Sequence, residues 1–211
     1  MDDARAISGA VSPSSEIPAQ IPEEEQLRAE IYGLLARVLV APPDAALLRA
    51  LTQLRGDGSE LGAAFGDLMR AAGGTTVEAA GREYHDLFIG LGRGELLPYA
   101  SYYLTGFLNE RPLANLRAAL ARLGVERAAA AKEPEDHIAA LCEVMAGLVT
   151  GAFGAPASVE QQREFFDAFI APWVGRFFRD LEAAPSAALY AAVGRVGRLF
   201  LGIEQTAFAI A

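Results

Sequence analysis

The sequence predicts an all-α fold, and three observations carry that prediction. From Glu23 almost to the end, apolar residues recur at the three- and four-residue spacing of amphipathic helices. No segment shows the sustained alternation of apolar and polar residues that marks a half-buried strand. Hydrophobic residues make up 52% of the 211 residues, which is enough for one substantial core. We therefore expect a single domain of about nine or ten helices over residues 21–211.

Four helices are predicted before residue 90. The first three span about 23–40, 44–51 and 59–73, with their ends set by prolines, glycines and capping side chains. Thr75 and Glu78 have the spacing of a capping box, which predicts the start of a fourth helix.

Five further helices are predicted after a long loop that runs from Gly90 to Pro98. They begin at about Pro112, Pro134, Ser158, Pro172 and Ser186. Proline suits the first turn of a helix because the first backbone N–H groups have no partner within the helix. Ser158 is followed three residues later by Gln161, and this spacing predicts a capping box.

Two segments do not fit the helical pattern. Residues 1–20 are rich in Ser, Ala and Pro and predict a disordered tail. Residues 125–132 predict an exposed linker that would act as a hinge between the N- and C-terminal halves. Such a hinge is compatible with a monomer or with a domain-swapped dimer.

Charge and composition narrow the range of partners. The chain has 27 acidic and 18 basic residues and a net charge of −9, so we expect no nucleic-acid partner and favour a basic one. No apolar run reaches the ~18 residues of a membrane span, so stable membrane insertion is not expected. The acidic start and the single cysteine predict a cytoplasmic protein.

Few residues suit catalysis, so we do not expect an enzyme. Two histidines, His85 and His137, and one cysteine, Cys142, give no spacing that resembles a metal site, and no cofactor is expected. Cys142 lies on an apolar helix face, which predicts a buried structural thiol. One alternative is a small nucleotide-binding hydrolase that uses the loop Gly90–Gly94, although no Gly-Lys-Ser/Thr follows it. Another is a purely structural helical adaptor.

The most informative segment is Glu133-Pro134-Glu135-Asp136-His137. Acidic residues and a proline are typical of a helix start, and this accounts for Glu133, Pro134 and Glu135. It leaves Asp136 and His137 unexplained. A carboxylate and an imidazole at the mouth of a groove would suit arginine side chains, ideally in a bidentate pair.

Aromatic and apolar residues flank the glycine-containing loop on both sides. They are Tyr84, Leu87 and Phe88 before it and Pro98, Tyr99, Ser101 and Tyr103 after it. They fit either the core or the walls of an apolar groove that binds a peptide helix.

Three motifs together resemble the TorD-like family of redox-enzyme maturation chaperones. They are Tyr84-x-x-Leu87-Phe88-x-Gly90, Pro98-Tyr99-x-Ser101-x-Tyr103 and Glu133-Pro134-x-Asp136-His137. Their order and separation agree with the family from about Glu23 to the end. The resemblance implies an all-α cytoplasmic chaperone without catalytic activity, which binds the twin-arginine signal peptide of a molybdenum-cofactor enzyme. It would delay export until folding and cofactor insertion are complete.

The resemblance also implies a peptide-binding site and a class of partner. Its residues would be Tyr84, Leu87, Phe88, Pro98, Tyr99, Ser101, Tyr103, Glu133, Pro134, Asp136 and His137. Asp136 would pair with a ligand arginine, and His137 would orient that carboxylate or contact the peptide backbone. The partner would be the apo form of a molybdopterin-dependent oxidoreductase of the formate dehydrogenase, dimethyl-sulfoxide reductase or trimethylamine-N-oxide reductase type.

Overall fold

A computed structural model describes residues 21–126 and 133–210, and within these ranges the chain forms ten α-helices and no strand. The prediction of an all-α fold is confirmed. The helices are α1 Glu23–Val40, α2 Ala45–Leu51, α3 Glu60–Gly73, α4 Val77–Phe88, α5 Ala100–Thr105, α6 Arg111–Arg122, α7 Ile138–Thr150, α8 Val159–Phe169, α9 Ala171–Ala183 and α10 Leu189–Ile210. The expected tail at 1–20 and most of the expected hinge lie outside the described residues. No helix among the described residues has both the length and the apolar character that crossing a membrane requires.

Side chains at helix N-termini set several of these boundaries. Asp44 and Ser59 accept backbone N–H groups of the first turns of α2 and α3, at 2.7 and 3.0 Å. Ser158 and Gln161 form the predicted capping box of α8. At α4 the predicted cap was one residue early, because Thr76, with its extended backbone, accepts the N–H three residues on.

Three predicted boundaries were wrong or missing. The six-residue helix α5 was not predicted, because it is too short for a period to show. Helix α7 begins at Ile138 and not at Pro134, and His137 is its N-cap. Helix α10 begins at Leu189 and not near Ser186, where the Glu83 carboxylate of α4 accepts three successive backbone N–H groups at 2.7 to 3.2 Å.

The buried side chains form one hydrophobic cluster to which all ten helices contribute. Tyr84 of α4 and Tyr190 of α10 donate their hydroxyls to the last carbonyls of α1, those of Leu39 and Val38, at 3.3 and 2.8 Å. These bonds satisfy buried polar groups and fix the end of α1 against α4 and α10.

Candidate functional site

Two segments that are far apart in the sequence meet in a short antiparallel contact. The N–H of Ala100 donates to the backbone carbonyl of Asp136 at 3.0 Å, and the N–H of Ile138 donates to the carbonyl of Pro98 at 2.9 Å. Tyr99 and His137 are opposite each other in an isolated bridge. His137 is extended and follows a turn in which its N–H donates to the carbonyl of Pro134 at 3.1 Å. Helix α7 therefore begins only at Ile138.

The Asp136 carboxylate is buried, with 1% of the residue exposed. Its Oδ2 accepts the N–H of Ser101 at 2.8 Å. Ser101 is the second residue of α5, so Asp136 caps this helix from another part of the chain and offsets the partial charge of its N-terminus. Within the described residues no donor is hydrogen-bonded to Oδ1, which leaves one carboxylate oxygen for a further partner.

His137 is also part of this framework. Its Nδ1 accepts the N–H of Ala139 at 3.1 Å, and its ring packs edge-on against Tyr99 with the centroids 5.1 Å apart. Burial lowers the pKa of His137 to about 4, although the charges of Glu133 and Asp136 act in the opposite direction. The imidazole is therefore neutral at pH 7, and its hydrogen bond goes to the first turn of α7 and not to the Asp136 carboxylate.

Asp136 lines a cavity of about 140 Å³ between α5, α6 and α8, which we call the Asp136 cavity. The other lining residues are Ala100, Leu104, Pro112, Asn115, Leu116, Ala168 and Phe169. The walls are mainly apolar, with one amide and one carboxylate as polar groups. Leu104 stands at the rim with 45% of its surface exposed, so the cavity can be reached from solvent.

A second cavity of about 240 Å³ adjoins the first and is lined by residues of α6 and α8. Both are lined by Ala168 and Phe169. The remaining residues of the second cavity are Ala119, Arg122, Leu123, Gln161, Glu164 and Phe165. The two cavities adjoin each other along α6 and α8, and we call them together the α6–α8 groove.

Several predicted site residues lie at this contact. They are Pro98, Tyr99, Ser101, Glu133, Pro134, Asp136 and His137. The Tyr99 hydroxyl donates to the Glu133 carboxylate, and burial together with this bond raises the pKa of Tyr99. Ser101 is wholly buried, and its hydroxyl has no hydrogen-bond partner within the described residues.

The remaining predicted site residues lie in the core. Tyr84 and Leu87 are buried, and Phe88 packs on the ring of Tyr84 with the centroids 5.0 Å apart. Burial, with a contribution from the charge of Glu133, raises the pKa of Tyr84 to about 12. Tyr103 is buried beside α9 and donates its hydroxyl to Asp180 at 3.0 Å. None of these four side chains lines the Asp136 cavity.

Residues of the α6–α8 groove were not identified from the sequence. On α6 they recur at positions 112, 115, 116, 119, 122 and 123, and on α8 at positions 161, 164, 165, 168 and 169. Each set covers one face of its helix. The spacing was therefore visible in the sequence, but a core face gives the same pattern.

The glycine-containing loop does not have the geometry of a phosphate site. It follows the C-terminus of α4, where the Gly90 N–H donates to the carbonyl of His85 at 2.7 Å and the Leu96 N–H to that of Leu87 at 2.8 Å. A helix C-terminus carries partial negative charge, whereas phosphate sites use helix N-termini. Cys142 is wholly buried, which raises the pKa of its thiol. Across residues 21–126 and 133–210 no group of three acidic, histidine or cysteine side chains could hold a metal ion.

Comparison with known proteins identifies relatives for this chain. Residues 55–179 match the family model described as nitrate reductase delta subunit. The chain is 29% identical over 126 residues to the chaperone protein TorD of Vibrio cholerae, which covers 56% of this chain and 57% of the relative. It is 34% identical over 90 residues to TorD of Vibrio vulnificus, and this alignment covers 42% of this chain and 40% of the relative. The alignments thus span about half the length of these relatives.

A solved structure has the same fold. The crystal structure of a candidate redox enzyme maturation protein from Archaeoglobus fulgidus superposes with a TM-score of 0.56 at 22% sequence identity. The superposition covers 83% of this chain and 94% of the other. At this identity the likeness concerns the fold alone.

Proposed function

The chain belongs to the nitrate reductase delta subunit family of TorD-like redox-enzyme maturation proteins, and we propose that it is a cytoplasmic chaperone for a molybdenum-cofactor oxidoreductase. It binds the twin-arginine signal peptide of that enzyme, delays its export and assists cofactor insertion. Enzymes of the formate dehydrogenase, dimethyl-sulfoxide reductase and trimethylamine-N-oxide reductase types are the clients that this function includes. The two curated relatives described above are named chaperones, which supports a binding role over a catalytic one.

The observation that carries the proposal is the Asp136 carboxylate at the wall of a mainly apolar cavity. Oδ2 already accepts the Ser101 N–H, and Oδ1 has no donor within the described residues. A guanidinium group supplies two parallel N–H donors and a positive charge, which is the partner that a carboxylate in this setting lacks. Apolar walls such as those of Leu104 and Phe169 cover the methylene groups of an arginine side chain.

The surroundings favour a cation over an anion. Glu133 and Glu135 are among the three residues before Asp136, and the net charge of the chain is −9. Arg117 is one of the arginines of α6, and its charge is paired with Glu135 at 2.8 Å. A negative field of this kind raises the encounter rate of a basic peptide, and the effect falls with ionic strength.

A peptide titration tests the proposal. Fluorescence anisotropy with a labelled twin-arginine signal peptide should show saturable binding, and a peptide with both arginines replaced by glutamine should bind much more weakly. Losing one partner of a buried, hydrogen-bonded charge pair costs about 2–5 kcal/mol, so the expected loss is about 30-fold or more. Equal binding of the two peptides, or of neither, would show that the proposed function is wrong.

A protein variant tests the site. Asp136→Asn keeps an amide oxygen that can accept the Ser101 N–H but removes the charge. The variant should bind the twin-arginine peptide as weakly as the glutamine peptide. Asp167→Asn is the matched control, because Asp167 is exposed on α8 and lines neither cavity. If both variants bound like the wild type, Asp136 would not be the arginine partner.

A further inference from the structure

Helix α10 buries one face and leaves another face open. Phe200, Glu204 and Phe208 are buried against the rest of the chain. An open channel of about 570 Å³ follows another face of the helix from Arg198 to Ile210, and we call it the α10 channel. Every described residue that lines it belongs to α10. Twelve steps at the helical rise of 1.5 Å make the channel about 18 Å long.

The lining of the α10 channel is mainly apolar. Ile203 is 52% exposed and Ile210 is 85% exposed, although isoleucine is among the residue types that are most often buried. Together with Leu199 and Ala207 they follow the three- and four-residue spacing of a single helix face. Arg198 is the one charged residue among the described lining residues, and it also forms an ion pair with α9. A continuous exposed stripe of this kind is typical of a surface that another segment covers.

Helix α1 brings the start of the described chain to one end of this channel. It runs antiparallel to α10, because Tyr190 near the start of α10 donates to the carbonyl of Val38 near the end of α1 at 2.8 Å. Farther along both helices, Arg28 donates to Glu204 at 2.9 and 2.7 Å. From this pair α1 continues to its start, and α10 to its end, in the same direction for about one and a half turns. The chain therefore enters α1 near the Ile210 end of the channel.

We propose that residues 1–20 of this chain bind along the α10 channel and cover its apolar surface. An extended chain advances about 3.3 Å per residue, so about six residues are enough for the length of the channel. The segment supplies three aliphatic side chains for this surface, those of Ile7, Val11 and Ile17. It also carries three acidic residues and one basic residue, a charge that is complementary to Arg198. The proposal does not rest on the peptide-binding function, since no residue of the channel lines the α6–α8 groove.

A segment of the same chain fits the α10 channel better than a second copy does. Covalent attachment holds a neighbouring segment at an effective concentration of the order of millimolar, whereas two copies must associate from dilute solution. Each copy also carries a net charge of −9, so two copies repel each other. The occupant to which the position and the charge point is therefore the segment that precedes α1.

Methyl spectra of the full chain test the contact from the side of residues 1–20. The variant combines Ile7→Ser, Val11→Ser and Ile17→Ser, and none of these changes touches the described core. In the variant the δ1-methyl signals of Ile203 and Ile210 should move, because the side chains that cover them are lost.

Ile89 is the matched internal control in these spectra. It is 53% exposed, which is nearly the same fraction as for Ile203. It follows Phe88, whose ring packs on Tyr190 with the centroids 5.4 Å apart, so it lies at the opposite end of α10 from Ile210. Its methyl signal should be the same in the wild type and in the variant.

Proteolysis of the full chain tests the contact from the side of the channel. A glutamate-specific endoproteinase cuts after Glu16, and mass spectrometry follows the rate of this cut. Ile203→Glu places a charge in the channel and should speed the cut roughly tenfold or more, since burial of one aliphatic side chain contributes that much. Ile210→Glu is a second variant with the same expected effect. Ile89→Glu adds the same charge at an equally exposed position outside the channel and should leave the rate unchanged.

Two results would overturn the proposal. One is that the signals of Ile203 and Ile210 are the same in the wild type and in the serine variant. The other is that the cut after Glu16 is equally fast in the wild type and in both channel variants, with circular dichroism showing that all of them are folded. Signals that move with protein concentration, but not with the serine substitutions, would make the channel a contact between copies and would also overturn it.

Discussion

The buried imidazole of His137 makes the stability of the candidate site depend on pH. In the folded protein it accepts the Ala139 N–H through Nδ1, which requires that nitrogen to be unprotonated. Burial lowers the pKa of His137 to about 4, against about 6.5 for an unperturbed histidine. Between these two values the unfolded chain binds a proton that the folded chain excludes.

The sign and size of the effect follow from this difference. The contribution of His137 to stability is complete above pH 6.5 and is lost as the pH falls towards 4. At about 1.4 kcal/mol per pH unit, the loss over this interval is about 3 kcal/mol. Protonation would remove the cap of α7 and loosen the contact that positions Asp136.

Urea unfolding at several pH values measures this contribution. The variant His137→Asn keeps an N-cap acceptor that does not titrate, so the free energy of unfolding of the variant should fall by about 3 kcal/mol less than that of the wild type between pH 7 and pH 4. His85→Asn removes the exposed histidine and is the control for a general effect of losing an imidazole. If His137→Asn followed the pH dependence of the wild type, the assignment of a buried neutral imidazole would be wrong.

Two further predictions concern the framework behind the site. Glu204 is 3% exposed and accepts two guanidinium N–H groups of Arg28 on α1, at 2.9 and 2.7 Å. The variant Glu204→Gln should lower the free energy of unfolding in urea by about 2–4 kcal/mol. Glu182→Gln changes an ion pair that is one-third exposed, and it should lower the free energy of unfolding by less than about 1 kcal/mol. Equal losses of stability in the two variants would show that burial does not decide how much an ion pair contributes. Gly197→Ala would press a methyl group into the ring of Phe178 and should lower the melting temperature. Gly202→Ala has open space around the added methyl group and should raise the melting temperature. A rise for both variants would contradict the close packing of α9 on α10.

Local sequence patterns were sufficient to predict most of the helices. The apolar spacing of α4 predicted a buried face of five residues, namely Val77, Ala80, Tyr84, Leu87 and Phe88. Ala80, Tyr84 and Leu87 are buried and Phe88 is half-buried, whereas Val77 in the first turn is exposed. The capping box at Ser158 and Gln161 was also predicted from spacing alone. Such signals act within a few residues, so they can be read without knowledge of the rest of the fold.

The wrong boundaries have a common physical cause. Asp136 caps α5 across 35 residues of sequence, and Glu83 caps α10 across more than 100. Caps supplied by a distant segment leave no local spacing at the helix that they stabilise. The acidic residues before α7 resembled a first helical turn, but they form a separate turn that ends at His137. The backbone of His137 is extended and lies between the hydrogen bonds to Pro98 and Ala100.

The candidate site, like the helix boundaries, was predicted only in part from the sequence. The sequence motifs predicted Asp136 as the central carboxylate, and the structure places it at the wall of a cavity. Tyr84 and Leu87 belong to the same motifs but are buried in the core. Phe169 and Ala168, which line both cavities, were not identified, because apolar residues on one helix face do not reveal whether that face is covered.

The most direct test of the account is a double-mutant cycle between Asp136 and the peptide arginines. It combines wild-type protein and Asp136→Asn with the twin-arginine peptide and its glutamine counterpart. If Asp136 holds an arginine, each single change should weaken binding by about 30-fold or more, and the two changes together should weaken it little further, a coupling of about 2 kcal/mol or more. Additive losses, with a coupling near zero, would show that the arginines bind elsewhere and would contradict the central claim.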